Sequence, residues 1–121
     1  MSRALFSPGE IVLIKHVPLD DPSAVKARPA LVVSGSAFNR ANLDVIVVAI
    51  SSRIREGDPK QIVIPETDLG FAQTGLKVTS AMKCAAVFAY PKSEIRRRLG
   101  RAPKEVLQRV RALLIQFLTG E

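Results

Sequence analysis

The sequence predicts a small, mainly β domain, an antiparallel β-barrel packed by a C-terminal amphipathic α-helix. Five segments rich in β-branched residues are bounded by Gly, Pro, Asn or Asp, at residues 11–17, 30–34, 45–50, 61–64 and 77–90. Near the C-terminus, apolar residues recur at helical spacing: Val106, Leu107, Val110, Leu113, Leu114, Phe117 and Leu118. Many short strands followed by one helix are typical of a small barrel with a terminal helix.

The chain of 121 residues suits one domain, with a barrel over about 8–90 and a helical part over about 91–118. Pro103 suits the first turn of the terminal helix. A shorter helical turn is predicted from Pro91 to Gly100, because glycine can adopt the left-handed conformation that ends helices. The Pro-rich segment 18–27 is predicted to be a loop long enough to cover a site, and 53–60 a second flexible stretch.

The hydrophobic content and the length of the apolar runs predict the oligomeric state and the cellular compartment. Hydrophobic residues make up 47% of the chain, more aliphatic surface than so small a domain buries easily, which favours a homodimer with an apolar seam. The N-terminus lacks the apolar core of a signal peptide, and no apolar run approaches the ~20 residues of a membrane span. We expect a cytoplasmic protein without a membrane partner.

Metal and cofactor chemistry finds little support in the sequence. Cys84 is the single cysteine and His16 the single histidine, so one chain cannot form a disulfide or a Cys/His zinc site. Asp20 and Asp21 are adjacent and would point to opposite faces of an extended chain, which makes them poor joint ligands. We therefore expect no metal and no cofactor.

The net charge of +7 is concentrated near the C-terminus. Residues 92–111 contain eight Lys and Arg against Glu94 and Glu105, a surplus of +6. Such a run is either a solvated face or a surface that attracts a polyanion, such as RNA or an acidic peptide. The sequence leaves both interpretations open.

Arg28 opens the run Arg28-Pro29-Ala30-Leu31-Val32-Val33-Ser34, so a permanent charge stands directly before an apolar strand. The planar guanidinium matches the geometry of phosphate oxygens. The alternative is an arginine at a strand end that pairs with a carboxylate.

Around the Arg28-Pro29 run, five motifs in order carry a family resemblance: Gly9-Glu10-Ile11-Val12-Leu13-Ile14, Phe38-Asn39-Arg40, Val45 to Ile50 followed by Ser51-Ser52, Gly75-Leu76, and Arg97-Arg98-Leu99-Gly100-Arg101. With them, residues 8–118 resemble the MazF/PemK/Kid family of messenger-RNA endonuclease toxins. The resemblance implies an SH3-like barrel that dimerises. It also implies metal-independent cleavage of single-stranded RNA by attack of the 2′-hydroxyl, which leaves a cyclic phosphate and a 5′-hydroxyl.

The resemblance also implies residue roles. Arg28 would be a principal catalytic residue, and Ser51 occupies the place of a Thr or Ser that contacts the scissile phosphate. Ser52 and Arg53, together with Lys26 and Lys83, are candidates for RNA binding. Composition alone favours the alternative that Ser51 is a strand-terminal serine that satisfies nearby backbone.

The general base is missing or unconventional. Relatives commonly read Arg-Cys-Asp-Gln-Ile where this chain has Lys83-Cys84-Ala85, and strand alternation would place Lys83 and Ala85 on one face. Alanine removes the carboxylate. Pro22 stands where one subgroup has a histidine, and Ser23-Ala24 where relatives often have Glu-Gln.

Four further side chains could act in catalysis or binding, but each also has a structural interpretation. His16 titrates near neutral pH but matches no catalytic position of the family. Cys84, with Met82, Ala86 and Phe88 predicted on the same strand face, is expected to pack in the core. Phe88 and Tyr90 could stack on bases, although core packing is the safer interpretation.

Three classes of function follow. The first is an active endoribonuclease toxin. The second is a catalytically weakened relative that binds nucleic acid, and the third is a module that binds an acidic peptide. The resemblance implies a cognate antitoxin whose acidic, disordered segment lies across a toxin dimer, with DNA contacted only indirectly through that antitoxin.

Overall fold

The computed structural model describes residues 5–15 and 27–120. The described part contains six strands: β1 Glu10–Ile14, β2 Arg28–Val32, β3 Asp44–Ser51, β4 Gln61–Ile64, β5 Ser80–Pro91 and β6 Arg97–Arg101. It also contains helices α1 Ser36–Ala41 and α2 Lys104–Thr119, and 3₁₀ turns at Ala72–Thr74 and Lys92–Glu94. In these residues, no helix is long and apolar enough to cross a membrane.

The six strands form one curled antiparallel sheet in the order β4-β5-β3-β2-β1-β6. The mainly β prediction with a C-terminal helix is therefore confirmed. Strands β1, β2 and β3 form the centre, where alternating apolar side chains can be buried on both faces of the sheet. The sheet places the beginning of β2 beside the ends of β1 and β3, which matters for the site described below.

Each face of the sheet carries its own apolar core. On one face, α2 contributes Val106, Leu107 and Val110 to a cluster with side chains from β1 to β5; we call this the helix-side core. On the other face, the second core consists of Phe6, Val12, Ile14, Ala30, Val32, Val45, Val47, Ala49 and Tyr90. The periodicity that predicted α2 is thus explained, because its apolar stripe packs on the sheet.

Several strand bounds differ from the prediction. β2 begins at Arg28 rather than residue 30, and β5 begins at Ser80 rather than residue 77. β1 ends at Ile14, and residues 16 and 17 lie outside the described residues. β2 also stops at Val32, because the backbone N–H groups of Val33 and Ser34 both donate to the Ile46 carbonyl as the chain turns towards α1.

Helix α1 was not predicted, because six residues are too few to show helical periodicity. Tertiary hydrogen bonds hold it in place. Asn39 is buried, its amide nitrogen donates to the carbonyls of Phe6 (2.7 Å) and Ser34 (3.0 Å), and its amide oxygen accepts from the Ser34 hydroxyl. Asn39 of the Phe38-Asn39-Arg40 motif thus serves the fold, because its hydrogen bonds join α1 to the N-terminal segment at Phe6 and to the turn at Ser34.

The predicted helical turn from Pro91 to Gly100 is wrong. A single 3₁₀ turn, Lys92–Glu94, is followed by β6, which pairs with β1 from Glu10↔Arg101 to Leu13↔Arg97. The helical part therefore begins at Lys104, not at residue 91. Gly100 does not end a helix but lies in β6. The position requires glycine because a Cβ there would be 2.2 Å from the Gln73 carbonyl oxygen.

Four of the eight Lys and Arg residues of the segment 92–111 form hydrogen bonds or ion pairs within the fold. Arg98 forms an ion pair with Glu10 (Nε to Oε2, 2.9 Å), donates to the Leu5 carbonyl and lies 4.4 Å from the centre of the Phe6 ring. Three more cations, Lys92, Arg101 and Arg111, donate to the carbonyls of Asn39, Pro8 and Val33. The surplus charge of residues 92–111 is therefore partly structural.

Candidate functional site

Arg28 and Ser51 are brought together at one end of the sheet. β2 and β3 pair as Ala30↔Ala49, Leu31↔Val48 and Val32↔Val47, and the same register continued by two residues sets Arg28 opposite Ser51. Arg28 is exposed and Ser51 half-buried. Directly opposite side chains in an antiparallel pair have Cβ atoms about 5 Å apart, within reach of one phosphate group.

Lys83 lies on the same face of the sheet. Ala30 pairs with Ala49, and Ala49 pairs with Lys83 on β5, so these three residues form one row across the sheet. Arg28 and Ser51 occupy the next row, which makes Lys83 a diagonal neighbour of Ser51 at about 7–8 Å. Ala30 and Ala49 have small side chains, which leave room on this face between Arg28 and Lys83.

The Ser51 hydroxyl has one local partner. Its Oγ accepts a hydrogen bond of 3.0 Å from the backbone N–H of Arg53. A serine hydroxyl that accepts one bond still has its own proton to donate. The backbone interpretation of Ser51 is thus correct, and it is compatible with a contact from the same hydroxyl to a phosphate oxygen.

The loop between β3 and β4, residues 52–60, carries the predicted residues Ser52 and Arg53 and also Arg55, all exposed. The loop is held by local bonds, including one from the Lys60 backbone N–H to Asp58 Oδ1 at 2.9 Å. That hydrogen bond is the main reason why the pKa of Asp58 lies below its usual range. The loop thus has a defined shape that presents its arginines to solvent.

Three further exposed cations that were not predicted as site residues lie at the same end of the sheet: Lys15, Arg96 and Arg97. Arg28 pairs with Ile14, the last residue of β1, so the exposed Lys15 follows directly beside it. On the far side of β1, β6 starts at Arg97, opposite Leu13. We call this edge, with Lys15, Arg28, Arg53, Arg96 and Arg97, the basic end. Its existence depends on β6 being a strand, which the sequence did not reveal.

Lys83 and Ala85 do not share a face. Val48 pairs with Val87 while the next residue, Ala49, pairs with Lys83, so residues 84–86 form a bulge in β5. The bulge interrupts strand alternation. A carboxylate at position 85 would therefore lie beside α2 rather than beside Lys83.

The same bulge separates the residues predicted around Cys84. Met82 and Cys84 belong to the helix-side core, as predicted for the thiol, whereas Ala86 and Phe88 pack against the second core. Burial raises the pKa of Cys84 to about 11, so the thiol is not a nucleophile near neutral pH. Tyr90 is also core, and its hydroxyl accepts from the Lys15 backbone N–H at 3.1 Å.

An apolar groove of about 540 Å³ lies between the bulge and the C-terminal half of α2. It is lined by Val33, Ser34, Ile46, Lys60, Cys84, Ala85, Val87, Leu114, Phe117 and Leu118. The groove is on the helix side of the sheet, whereas Arg28, Ser51 and Lys83 are on the opposite face. Two separate surfaces therefore flank the sheet, one apolar and one basic.

Some predicted positions lie outside the described residues: Lys26, His16, Asp20, Asp21 and the segment Pro22-Ser23-Ala24. Within residues 5–15 and 27–120, no three His, Cys, Asp or Glu side chains come close enough to hold a metal ion. The chemistry of the described site is therefore that of guanidinium, ammonium and hydroxyl groups.

Comparison with known proteins places this geometry in a family context. The family model of PemK-like, MazF-like toxins of type II toxin-antitoxin systems matches residues 7–118. A search of curated proteins finds no significant match. The fold is similar to that of MazF from Deinococcus radiodurans, with 24% identity, coverage of 95% of this chain and 97% of that chain, and a TM-score of 0.73.

Two complexes contain similar chains. A MazE-MazF structure from Deinococcus radiodurans has 23% identity, coverage of 98% and 99%, and a TM-score of 0.72. An endoribonuclease in complex with its cognate antitoxin from a mycobacterial species has 21% identity, coverage of 93% of each chain, and a TM-score of 0.71. At these identities the structural likeness establishes the fold.

Proposed function

This chain belongs to the PemK-like, MazF-like toxins of type II toxin-antitoxin systems, and we propose that it is a cytoplasmic endoribonuclease. It cleaves single-stranded RNA without a metal, by attack of the substrate's 2′-hydroxyl on the neighbouring phosphorus. The products are a 2′,3′-cyclic phosphate and a 5′-hydroxyl. The proposal rests on the β2–β3 register, whose continuation by two residues beyond Ala30↔Ala49 sets Arg28 opposite Ser51 at the basic end of the sheet.

The roles follow from the charge that develops in the reaction. The attack produces a phosphorane with added negative charge on its non-bridging oxygens, and fixed donors lower the barrier by stabilising that charge. Arg28 supplies a planar, always protonated fork for those oxygens, and the Ser51 hydroxyl donates to one of them. The 2′-hydroxyl proton passes to solvent water, and the departing 5′-oxygen takes up a proton from solvent while the Arg28 guanidinium stabilises its negative charge.

RNA binding is spread over the neighbouring cations. Lys83 contacts the phosphate next to the scissile one, because it lies in the adjacent row on the same face. Ser52 and Arg53 bind from the β3–β4 loop. Lys26, two residues before Arg28 in the sequence, stays a candidate for RNA binding. Binding of a single strand by such a surface weakens with salt as counterions are displaced.

The first test is chemical. Incubation of the purified protein with a mixed-sequence single-stranded RNA in EDTA is expected to give fragments whose 5′ ends accept phosphate directly from polynucleotide kinase. Fragments that need phosphatase treatment first carry 5′-phosphates and would contradict the mechanism. RNA that is bound but never cut would favour the catalytically weakened relative.

We further propose that a cognate antitoxin inhibits this chain by laying an acidic, disordered segment across the basic end. The support is the concentration of five exposed cations there, and the antitoxin complexes known for two similar chains. A flexible anionic segment gains charge-assisted contacts at such a surface.

We also propose that the chain forms a homodimer. The support is a set of exposed apolar side chains at the end of α2: Ile115, Phe117 and Leu118.

The antitoxin proposal predicts competition. An acidic-hydrophobic peptide from the neighbouring reading frame should inhibit cleavage by raising the apparent KM for RNA. Its affinity should fall between about 50 and 200 mM salt, because the contacts are between charges. Simultaneous binding of peptide and RNA to one protein would contradict a shared surface.

A further inference from the structure

Gln61 joins two parts of the proposed RNA surface. It is the first residue of β4 and pairs with Lys83 across the sheet. Its Oε1 accepts from Lys83 Nζ at 2.7 Å and from the Arg55 backbone N–H at 3.4 Å. Its Nε2 donates to the Arg55 carbonyl at 2.5 Å. One side chain thus holds both backbone polar groups of Arg55 together with the ammonium of Lys83.

The chemistry of an amide suits this position. Only a group with both an acceptor and a donor can satisfy the N–H and the C=O of one backbone residue at the same time. Because the amide is neutral, its hydrogen bond to Lys83 holds the ammonium in place without itself neutralising it, although the Asp58 carboxylate also interacts with that charge. A carboxylate in place of the amide would pair with that charge and repel the Arg55 carbonyl.

The loop needs such an anchor. Residues 52–60 leave the sheet after β3 and carry Arg53 and Arg55 in exposed positions. Gln61 fixes the loop at Arg55, six residues before itself, while the Ser51 hydroxyl fixes it at Arg53. The two anchors fix the loop backbone at Arg53 and at Arg55, next to the ends of β3 and β4.

We propose that Gln61 is a positioning residue for RNA binding. Its neutral amide holds the backbone of the β3–β4 loop and the ammonium of Lys83 in one arrangement and adds no negative charge to the surface. This inference rests on the proposed function. It assigns Gln61 no contact with the reacting phosphate, so its effect should fall on KM rather than on kcat.

The test compares Gln61→Glu with Gln108→Glu, which makes the same change in charge on the exposed face of α2. Gln61→Glu should raise KM and the Kd for an uncleavable RNA about tenfold, close to the lower end of the contribution of one hydrogen bond to a charged group. It should also make the slope of log affinity against log salt shallower by about 0.7, one phosphate contact on a single strand. Gln108→Glu should change neither quantity by more than about twofold.

A double-mutant cycle separates positioning from folding. Gln61→Ala and Lys83→Ala should each weaken RNA binding, while the double variant should be at least about fivefold tighter than independent effects predict. Additive effects, or an unchanged Kd for Gln61→Glu in protein with normal melting temperature, would overturn the proposal. If the wild type neither binds nor cuts RNA, the proposed function itself fails; wild-type cleavage with an inert Gln61 refutes only the positioning role.

Discussion

Replacing Arg28 by lysine is expected to remove most RNA cleavage while the fold stays intact. Lysine keeps the positive charge but offers a single ammonium where two parallel donors are needed. The loss should be about 30- to 1,000-fold in kcat, equivalent to about 2–4 kcal/mol of transition-state stabilisation. Single-turnover cleavage at saturating protein measures this directly, because it removes differences in RNA binding.

The matched control for that experiment is Arg109→Lys. Arg109 is exposed on α2, on the far side of the sheet from the site, so its replacement should leave both cleavage and stability unchanged. The melting temperature of Arg28→Lys should also stay close to that of the wild type, since an exposed side chain contributes little to the core. Equal cleavage rates for wild type and a well-folded Arg28→Lys protein would exclude Arg28 from the chemistry.

Gly100→Ala is expected to be among the most damaging single-methyl changes in the fold. A Cβ at Gly100 would lie 2.2 Å from the Gln73 carbonyl oxygen and 2.5 Å from the Thr74 carbonyl carbon, and backbone atoms cannot move away as a flexible side chain can. The clash would push the 3₁₀ turn away from β6. We expect a loss of about 3 kcal/mol or more in the free energy of unfolding, measured by urea titration.

Gly35→Ala provides the comparison. Nothing lies within 4 Å of a Cβ built at Gly35, and its backbone conformation is one that alanine adopts readily. The urea midpoint of Gly35→Ala should therefore stay near that of the wild type. A Gly100→Ala protein with the same midpoint would show that the turn at Ala72–Thr74 does not pack on β6 as described.

The parts of the fold with local signals were predictable from the sequence. Alternating β-branched segments identified five strands, and the spacing from Val106 to Leu118 identified α2. β6 was missed because the run Arg97-Arg98-Leu99 has no apolar alternation; it is a strand because β1 offers it an unpaired edge and because Arg98 can pair with Glu10. Such a strand is specified by its tertiary partners rather than by its own composition.

The site was predictable to a similar degree. Arg28 and Ser51 stand at the ends of recognisable strands, so their meeting follows from the antiparallel pairing of β2 with β3. Gln61 and the bulge at residues 84–86 were not predictable, because each depends on the register between β4, β5 and β3. The expectation for Ala85 failed for the same reason: regular alternation was assumed through a segment where the ladder shifts by three residues.

In the proposed reaction, the substrate supplies its own nucleophile and Arg28 stabilises the resulting phosphorane. A single 2′-deoxy substitution at the nucleotide before the cleaved bond tests it most directly. The account predicts that the substituted RNA binds with nearly the same Kd but is not cut at that position, while unmodified positions of the same motif in the same strand are cut at the normal rate. Cleavage at the 2′-deoxy position at an undiminished rate would mean that water or a protein group attacks the phosphorus, and would contradict the account.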